Sequence, residues 1–148
     1  MINRATSFTA RLCFGLIIAC SAMAQAPVLV VQDAWARQVP GSDVAAVYLT
    51  VRNPGTRSRT IASVESPVAG HAMIHETRTE HGQSQMRPHE PLVVPAGQSV
   101  KLEPGGLHIM LHGMKQSAVV GQTVPVTLLL SDGGKVSVEA RVRPLTAQ

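Results

Sequence analysis

The sequence predicts an all-β domain, a β-sandwich of about eight or nine short strands with Greek-key connections. Two patterns lead to this expectation. Apolar and polar residues alternate with a period of two in several segments, and turn residues such as Asn-Pro-Gly and Asp-Gly-Gly separate those segments at short intervals. No segment after residue 24 has the apolar spacing of an amphipathic helix. The chain of 148 residues suits a single domain.

The first three predicted strands are separated by strong turn signals. Val28–Arg37 is rich in apolar and β-branched residues, which favours a strand. Ala45–Asn53 alternates between apolar and polar positions, with Tyr48 on the polar side. Asn53-Pro54-Gly55 is a strong turn sequence, and Thr60–Val64 follows it as the third strand.

The middle of the chain predicts short strands around one tight turn. Ala72–Thr77 alternates, and His81-Gly82 then marks a reversal that brings Met86 back along the chain. Three further short strands are punctuated by Pro-Ala-Gly and Pro-Gly-Gly sequences: Leu92–Val94, Ser99–Leu102 and Leu107–Leu111.

The last two predicted strands form a hairpin. Val124–Leu130 and Lys135–Val142 flank Ser131-Asp132-Gly133-Gly134, whose composition suits a tight reversal. Apolar residues occupy every second position of Lys135–Val142, which predicts one buried face and one exposed face.

Residues 1–24 are predicted to be a secretory signal peptide, leaving residues 25–148 as one exported, periplasmic domain. Arg4 and Arg11 precede or flank a short apolar run, and Ala22-Met23-Ala24 supplies a small-x-small cleavage pattern. The apolar run is too short to span a bilayer comfortably. The alternative is lipoprotein processing, in which cleavage before Cys20 would leave this cysteine as the acylated N-terminus.

Signal removal changes the charge and thiol content of the domain. The full chain has 13 Lys and Arg against 9 Asp and Glu, and loss of Arg4 and Arg11 leaves 11 against 9, a net charge of +2. Modest charge and 3% aromatic residues do not favour nucleic acid as a partner. Cys13 and Cys20 both precede Gln25, so the mature domain has no thiol and is expected to be held together by its core alone. The domain is expected to be a monomer.

Histidine and methionine residues gather in one part of the chain. Four methionines follow the predicted signal peptide, at positions 73, 86, 110 and 114, and all six histidines lie between His71 and His112. In Leu107–Leu111 the apolar positions alternate with His108 and Met110, so these two side chains share the face away from the core. The same alternation places His75 on the non-core face of its strand.

Ligand chemistry predicts one Cu(I) ion per chain, bound by His75, Met86, His108 and Met110. Thioether sulfur is a poor ligand for zinc, calcium or magnesium and a good one for Cu(I), while imidazole suits copper in either oxidation state. A blue-copper electron-transfer centre requires a cysteine thiolate, which the mature domain lacks. The alternative interpretation is that each methionine fills the core and each histidine is solvated. His71, His81, His89 and His112 are expected to be mainly solvated, with Met73 and Met114 as rim or packing residues.

The spacing of the four residues resembles the PCuAC family of periplasmic copper chaperones. Ten residues separate His75 from Met86, twenty-one separate Met86 from His108, and one separates His108 from Met110. The flanking sequences also resemble that family, notably Ile74-His75-Glu76, Met86-Arg87-Pro88 and Pro104-Gly105-Gly106-Leu107-His108. The resemblance covers about residues 30–143. Glu76 replaces an optional methionine that follows the first histidine in the family pattern.

The resemblance implies a cupredoxin-like β-sandwich that binds Cu(I) and supplies it to the dinuclear copper centre of cytochrome c oxidase. Its expected partners are the copper-bearing oxidase subunit or a thiol-bearing chaperone of the Sco type. Two other roles stay open at this point: periplasmic copper buffering or tolerance, and a metal-free adhesion or assembly module. No Ser/His/Asp arrangement, nucleotide loop or paired carboxylates indicate an enzyme.

Overall fold

Strands account for all the regular secondary structure in the computed structural model, which describes residues 29–146. The predicted signal peptide, Cys13 and Cys20 lie outside the described residues. The strands, numbered β1 to β10 in chain order, are Val30–Gln38, Val44–Arg52, Arg59–Glu65, Ala69–Glu80, Gln83–Pro88, Leu92–Val94, Ser99–Leu102, Leu107–Met114, Thr123–Leu130 and Lys135–Val142. The all-β class is confirmed, and the strand number is ten rather than eight or nine.

Hydrogen bonding joins the strands into one continuous sheet that folds over on itself. The order is β5-β4-β8-β2-β1-β10-β9-β3-β6, and β7 pairs with the part of β2 beyond β8. The β1–β10 pair is parallel and the other described pairs are antiparallel. β3 packs near β4 although the two strands share no ladder, so the two halves of the sheet enclose the core between them.

Alternating burial along the strands produces the core. In β10 the apolar residues Val136, Val138, Ala140 and Val142 are buried and the residues between them are exposed, as the alternation predicts. In β8, Ile109 and Leu111 are fully buried, and in β4 Ile74 is fully buried beside them. These aliphatic side chains define the inner face of the strands that carry the histidines, and so fix which side chains point the other way.

The Asn53-Pro54-Gly55 turn is anchored by a buried amide. Asn53 is fully buried, and its Nδ2 donates to the carbonyls of Arg57 and Val94 at 2.8 and 3.0 Å. Its Oδ1 accepts the backbone N–H of Gly55 at 3.0 Å. The amide therefore satisfies backbone groups that the turn would otherwise leave unpaired.

Two predicted elements differ from those observed in the region of the histidines. β4 extends from Ala69 to Glu80, beyond the predicted Ala72–Thr77 at both ends, and β8 continues past Leu111 to Met114. β5 is a strand in its own right, paired with β4 across the His81-Gly82 turn. Within the described residues, no helix has the length and apolarity needed to cross a membrane.

Candidate metal centre

The four predicted ligands lie on one face of three adjacent strands, β5, β4 and β8. His75 of β4 stands directly opposite His108 of β8. Met110 follows two residues after His108, on the same face. Met86 of β5 stands opposite Thr77, which lies two residues after His75 on β4. Because directly opposed residues of antiparallel strands share a face, all four side chains project away from the core. We call this surface the ligand face.

His108 is held in a single tautomer by the backbone of its own strand. The side chain is buried, with 5% of its surface exposed, and its Nδ1 lies 3.0 Å from the carbonyl oxygen of Gly106. A carbonyl can only accept, so Nδ1 carries the proton and Nε2 keeps its lone pair. The same carbonyl accepts the backbone N–H of Thr77 at 3.1 Å. The ring is thereby fixed to the β4–β8 ladder with Nε2 available as a metal ligand.

His75 presents a buried nitrogen that has no hydrogen-bond partner. Its ring centroid lies 6.0 Å from that of His108, with the two planes nearly perpendicular. The Nδ1 atom is buried and unpaired. An unpaired buried polar atom is costly, and a metal ion at the ligand face would give such a lone pair a partner. The donor set therefore fits a bound metal ion.

The environment of His75 favours its neutral form, which is the form that binds metal. Burial lowers the pKa of His75, and the neighbouring His108 and His112 lower it further, while Glu90 acts in the opposite direction. The carboxylate of Glu90 accepts the backbone N–H of Ile74 at 3.0 Å, which holds it close to His75. The neutral imidazole is therefore present over a wider pH range than for a solvated histidine.

The two predicted methionine ligands line an open pocket at the edge of the ligand face. This pocket has a volume of about 320 Å³, and His108, Met110, Met86 and Tyr48 contribute to its wall. Met110 is half-buried, whereas 59% of Met86 is exposed. The site is therefore accessible from solvent on the side where Met86 stands.

The remaining histidines divide into two groups. His81 is exposed in the β4–β5 turn, and Nδ1 of His89 lies 3.3 Å from a carboxylate oxygen of Glu76, away from the four ligands. His71 is exposed, but it stands opposite the half-buried His112 on the ligand face. The ring of His112 is 6.1 Å from that of His75, so this histidine is less solvated than the sequence predicts.

The other two methionines have different surroundings. Met73 is half-buried on the ligand face, directly opposite Met110. Met114 packs against the hydrophobic core, which agrees with a packing role. Gly113, with a φ of 64°, interrupts the alternation between His112 and Met114. The row of histidine and methionine side chains on β8 therefore ends at His112.

The geometry favours a mixed nitrogen and sulfur site over a site for a harder metal. Among residues 29–146, no three His, Cys, Asp or Glu side chains converge in a way that could hold a metal ion. A site on the ligand face with three or more side-chain donors would therefore include methionine sulfur as well as imidazole. Two imidazoles and two thioethers form an uncharged donor set, which suits a soft monovalent cation.

Comparison with known proteins places this geometry in a family. The sequence model of the family described as "LpqE-like: Putative lipoprotein LpqE-like" matches residues 29–142. The chain belongs to the LpqE-like family. A relative from Leifsonia xyli subsp. xyli, named "Putative lipoprotein Lxx21020", is 35% identical over 120 residues, which cover 80% of this chain and 72% of the relative.

Solved structures connect this LpqE-like chain to PCuAC domains. The solution structure of Cu(I)-bound DR1885 from Deinococcus radiodurans is 32% identical, covers 86% of this chain and 87% of its own, and superposes with a TM-score of 0.66. The apo PCuAC domain of PmoF1 is 25% identical, with 80% and 95% coverage and a TM-score of 0.66. The predicted PCuAC resemblance and the cupredoxin-like sandwich are both confirmed.

Sequence reasoning missed an aromatic support beside His108 on the LpqE-like chain's ligand face. Tyr48 is only 4% exposed although its alternation with Thr50 and Arg52 predicts an outer position. Its ring packs 4.5 Å from Trp35 and 6.3 Å from His108, measured between centroids. The guanidinium carbon of Arg37 lies 5.2 Å from the Tyr48 ring centroid. Tyr48 pairs with Trp35, the single tryptophan of the sequence. An aromatic residue at a position whose alternate neighbours are polar is the signal that could have indicated this support.

Proposed function

We propose that this chain is an exported copper(I) carrier that delivers its ion during assembly of cytochrome c oxidase. The observation that carries the proposal is the meeting of His75, His108, Met110 and Met86 on one face of three adjacent strands. The Cu(I)-bound state of the 32% identical DR1885 supports the choice of metal. A carrier role, rather than catalysis, agrees with a site made of neutral ligands alone.

The arrangement suits an ion that is bound and then released. His108 and His75 hold their nitrogens on rigid, paired strands, which provides a pre-organised pair of donors. Met86 comes from the exposed β5 strand and is the ligand most open to solvent. A recipient can therefore approach on the Met86 side and replace the thioether with its own ligand, before the histidines release the ion.

Competition titration with a chromophoric Cu(I) ligand tests the metal centre. Alanine at His75, Met86, His108 or Met110 should lower Cu(I) affinity, by about tenfold or more for the two histidines. His81→Asn is a matched control, because His81 is an exposed histidine of the β4–β5 turn and asparagine suits its positive φ. Wild-type affinity in all four ligand variants would reject the centre, and a metal-free module would show no copper after purification from copper-supplemented cells.

Delivery is tested separately from binding. In a deletion strain grown with scarce copper, cytochrome c oxidase activity should fall, and the wild-type gene but not the His108→Ala, Met110→Ala double variant should restore it. Normal oxidase activity together with increased sensitivity to excess copper would instead assign the chain to copper buffering. The recipient we propose is the oxidase copper-bearing subunit or a thiol chaperone of the Sco type.

Export forms part of the proposal, with two processing routes. Cleavage after Ala24 gives a free periplasmic domain that begins at Gln25, while processing at Cys20 gives a lipid-anchored one. The lipoprotein names of the family and of the Leifsonia relative support the second route. Intact-mass measurement of the mature protein distinguishes the two N-termini, and Cys20→Ser should abolish membrane association only if the cysteine is acylated.

A further inference from the structure

A second group of soft donors lies beside the proposed copper centre on the ligand face. His71 of β4 stands directly opposite His112 of β8. On each strand this pair is two residues away from the Met73–Met110 pair. The alternation of β4 places His71, Met73 and His75 on the same face, because Ala72 and Ile74 between them are buried. His71, Met73 and His112 are not among the four residues of the proposed centre, although the ring of His112 lies beside that of His75.

His75 is equally close to the two groups. Its ring centroid lies 6.0 Å from His108 and 6.1 Å from His112. Register alone would not give equal distances, since His108 is directly opposite His75 while His112 is four residues further along β8. The rings of His75 and His112 therefore lean toward one another across the Met73–Met110 pair. The histidines form one connected cluster rather than isolated surface residues.

The chemistry of the second group matches that of the first. Opposed residues on paired strands have Cβ atoms about 5 Å apart, a spacing from which two imidazoles can reach one metal ion. Met73 adds a thioether, which selects soft cations over zinc or magnesium. His71 is exposed and Met73 and His112 are half-buried, so an ion can reach all three from solvent. Within residues 29–146, the side chains of this group make no hydrogen bond of the kind that orients His108.

We propose that His71, Met73 and His112 form a second position for Cu(I), adjacent to the four-residue centre and weaker than it. Two monovalent cations at neighbouring sites repel each other, which lowers the affinity of the second by roughly tenfold to a hundredfold. The carboxylate of Glu90, close enough to influence His75, offsets part of that repulsion. The chain thus binds two ions, whereas its sequence pattern predicts a single ion.

Stoichiometric titration of the mature protein with Cu(I), using a chromophoric competitor, tests this position. The wild type should bind two ions with separated affinities. His71→Asn should remove the second ion and leave the affinity of the first within about threefold of wild type, and His112→Asn should also remove the second ion. His81→Asn is the matched control and should keep both ions, because it removes an exposed histidine from the hairpin turn.

A second measurement identifies the atoms involved. In a titration with Ag(I), a redox-inert soft cation, the methyl resonance of Met86 should shift during the first equivalent. The methyl resonance of Met73 should shift further during the second equivalent, beyond any change transmitted from Met110 opposite it. Saturation of the wild type at one ion would overturn the proposal. So would a second ion that persists in both His71→Asn and His112→Asn, or a first ion that is weakened in His71→Asn as strongly as in His108→Ala.

Discussion

Tyr48 packs beside His108, whose ring is also held by the hydrogen bond to Gly106. The tyrosine ring is buried between Trp35 and His108 and closes one side of the histidine. Removing it would leave a cavity against both rings and free the imidazole to rotate. A metal ligand that can rotate binds with less affinity, because it must be ordered when the ion binds.

We therefore expect Tyr48→Ala to lower the free energy of unfolding by about 3 kcal/mol and to weaken Cu(I) binding. Tyr48→Phe keeps the ring and should stay close to wild type in both properties. Urea denaturation and Cu(I) competition measure the two effects. A Tyr48→Ala protein with unchanged copper affinity would show that the aromatic support has no influence on His108.

The lowered pKa of His75 makes the stability of the metal-free protein depend on pH. The unfolded chain binds a proton at His75 near the ordinary pKa of about 6.5, whereas the folded protein resists protonation there. The unfolded state thus binds more protons as the pH falls below 6.5, so stability is lost as the medium becomes acidic and is fully present above that pH.

Urea denaturation of the metal-free protein at pH 5.0 and 7.5 measures this effect. The wild type should be less stable at the lower pH, and His75→Gln should reduce the difference between the two values. His81→Asn is a control, because His81 is exposed in the β4–β5 turn rather than placed on the ligand face. An equal pH dependence in wild type and His75→Gln would contradict the assignment to His75.

Residue positions on the ligand face could be predicted where burial alternates cleanly. His108 and Met110 alternate with the buried Ile109 and Leu111, and the structure places them on the face away from the core as predicted. The closeness of His112 to His75 could not be predicted, since it depends on how two side chains lean across the ladder. Tyr48 was missed for a similar reason: alternation gives the face of a residue but not what covers that face.

At the scale of elements, the β4–β5 hairpin decides where Met86 stands. Its two turn residues, His81 and Gly82, have φ values of 52° and 79°, and the flanking Glu80 and Gln83 are paired. Two successive positive φ angles are typical of a type I′ turn, which favours Asn-Gly. The strand that carries Met86 is exposed along its whole length, so the turn and the ladder hold it with little help from the core.

Gly82→Val should loosen this hairpin, because a β-branched residue at positive φ costs about 1–2 kcal/mol. Amide exchange in β5 should accelerate and Cu(I) affinity should fall through displacement of Met86. His81→Asn, which suits the same turn, should leave exchange unchanged or slower. Amide exchange followed by NMR separates these outcomes, and unchanged protection in Gly82→Val would contradict the role given to the turn.

The strands that could be predicted are those with one buried face. β6, β7 and β10 have the predicted bounds, and β10 shows strict alternation of buried and exposed residues. β5 has no buried residue, so it offers no hydrophobic period and could be predicted only as the chain after a turn. The extension of β4 is similar, since Arg78 and Thr79 near its end are exposed and pair with β5 alone.

At the scale of the whole molecule, copper binding and folding stability are linked. The centre joins β5, β4 and β8, which lie at one end of the sheet. An ion that binds only the folded state stabilises it by about 2.7 kcal/mol at a free concentration one hundred times its dissociation constant. For a domain of this size the corresponding rise in Tm is about 10 °C.

Thermal unfolding followed by circular dichroism, with and without Ag(I), measures this rise. The shift should be lost in His108→Ala and retained in His81→Asn. A shift of equal size in His108→Ala would mean that the stabilising ion binds elsewhere in the chain.

The exposure of Met86 also affects the chemical lifetime of the protein. A thioether that faces solvent is open to peroxide, which converts it to a polar sulfoxide that no longer binds a soft metal as sulfur. Met110, half-buried beside the Tyr48 ring, is better shielded. The side chain best placed to release copper is therefore also the first that oxidative damage reaches, and a bound ion that occupies its sulfur lone pair protects it.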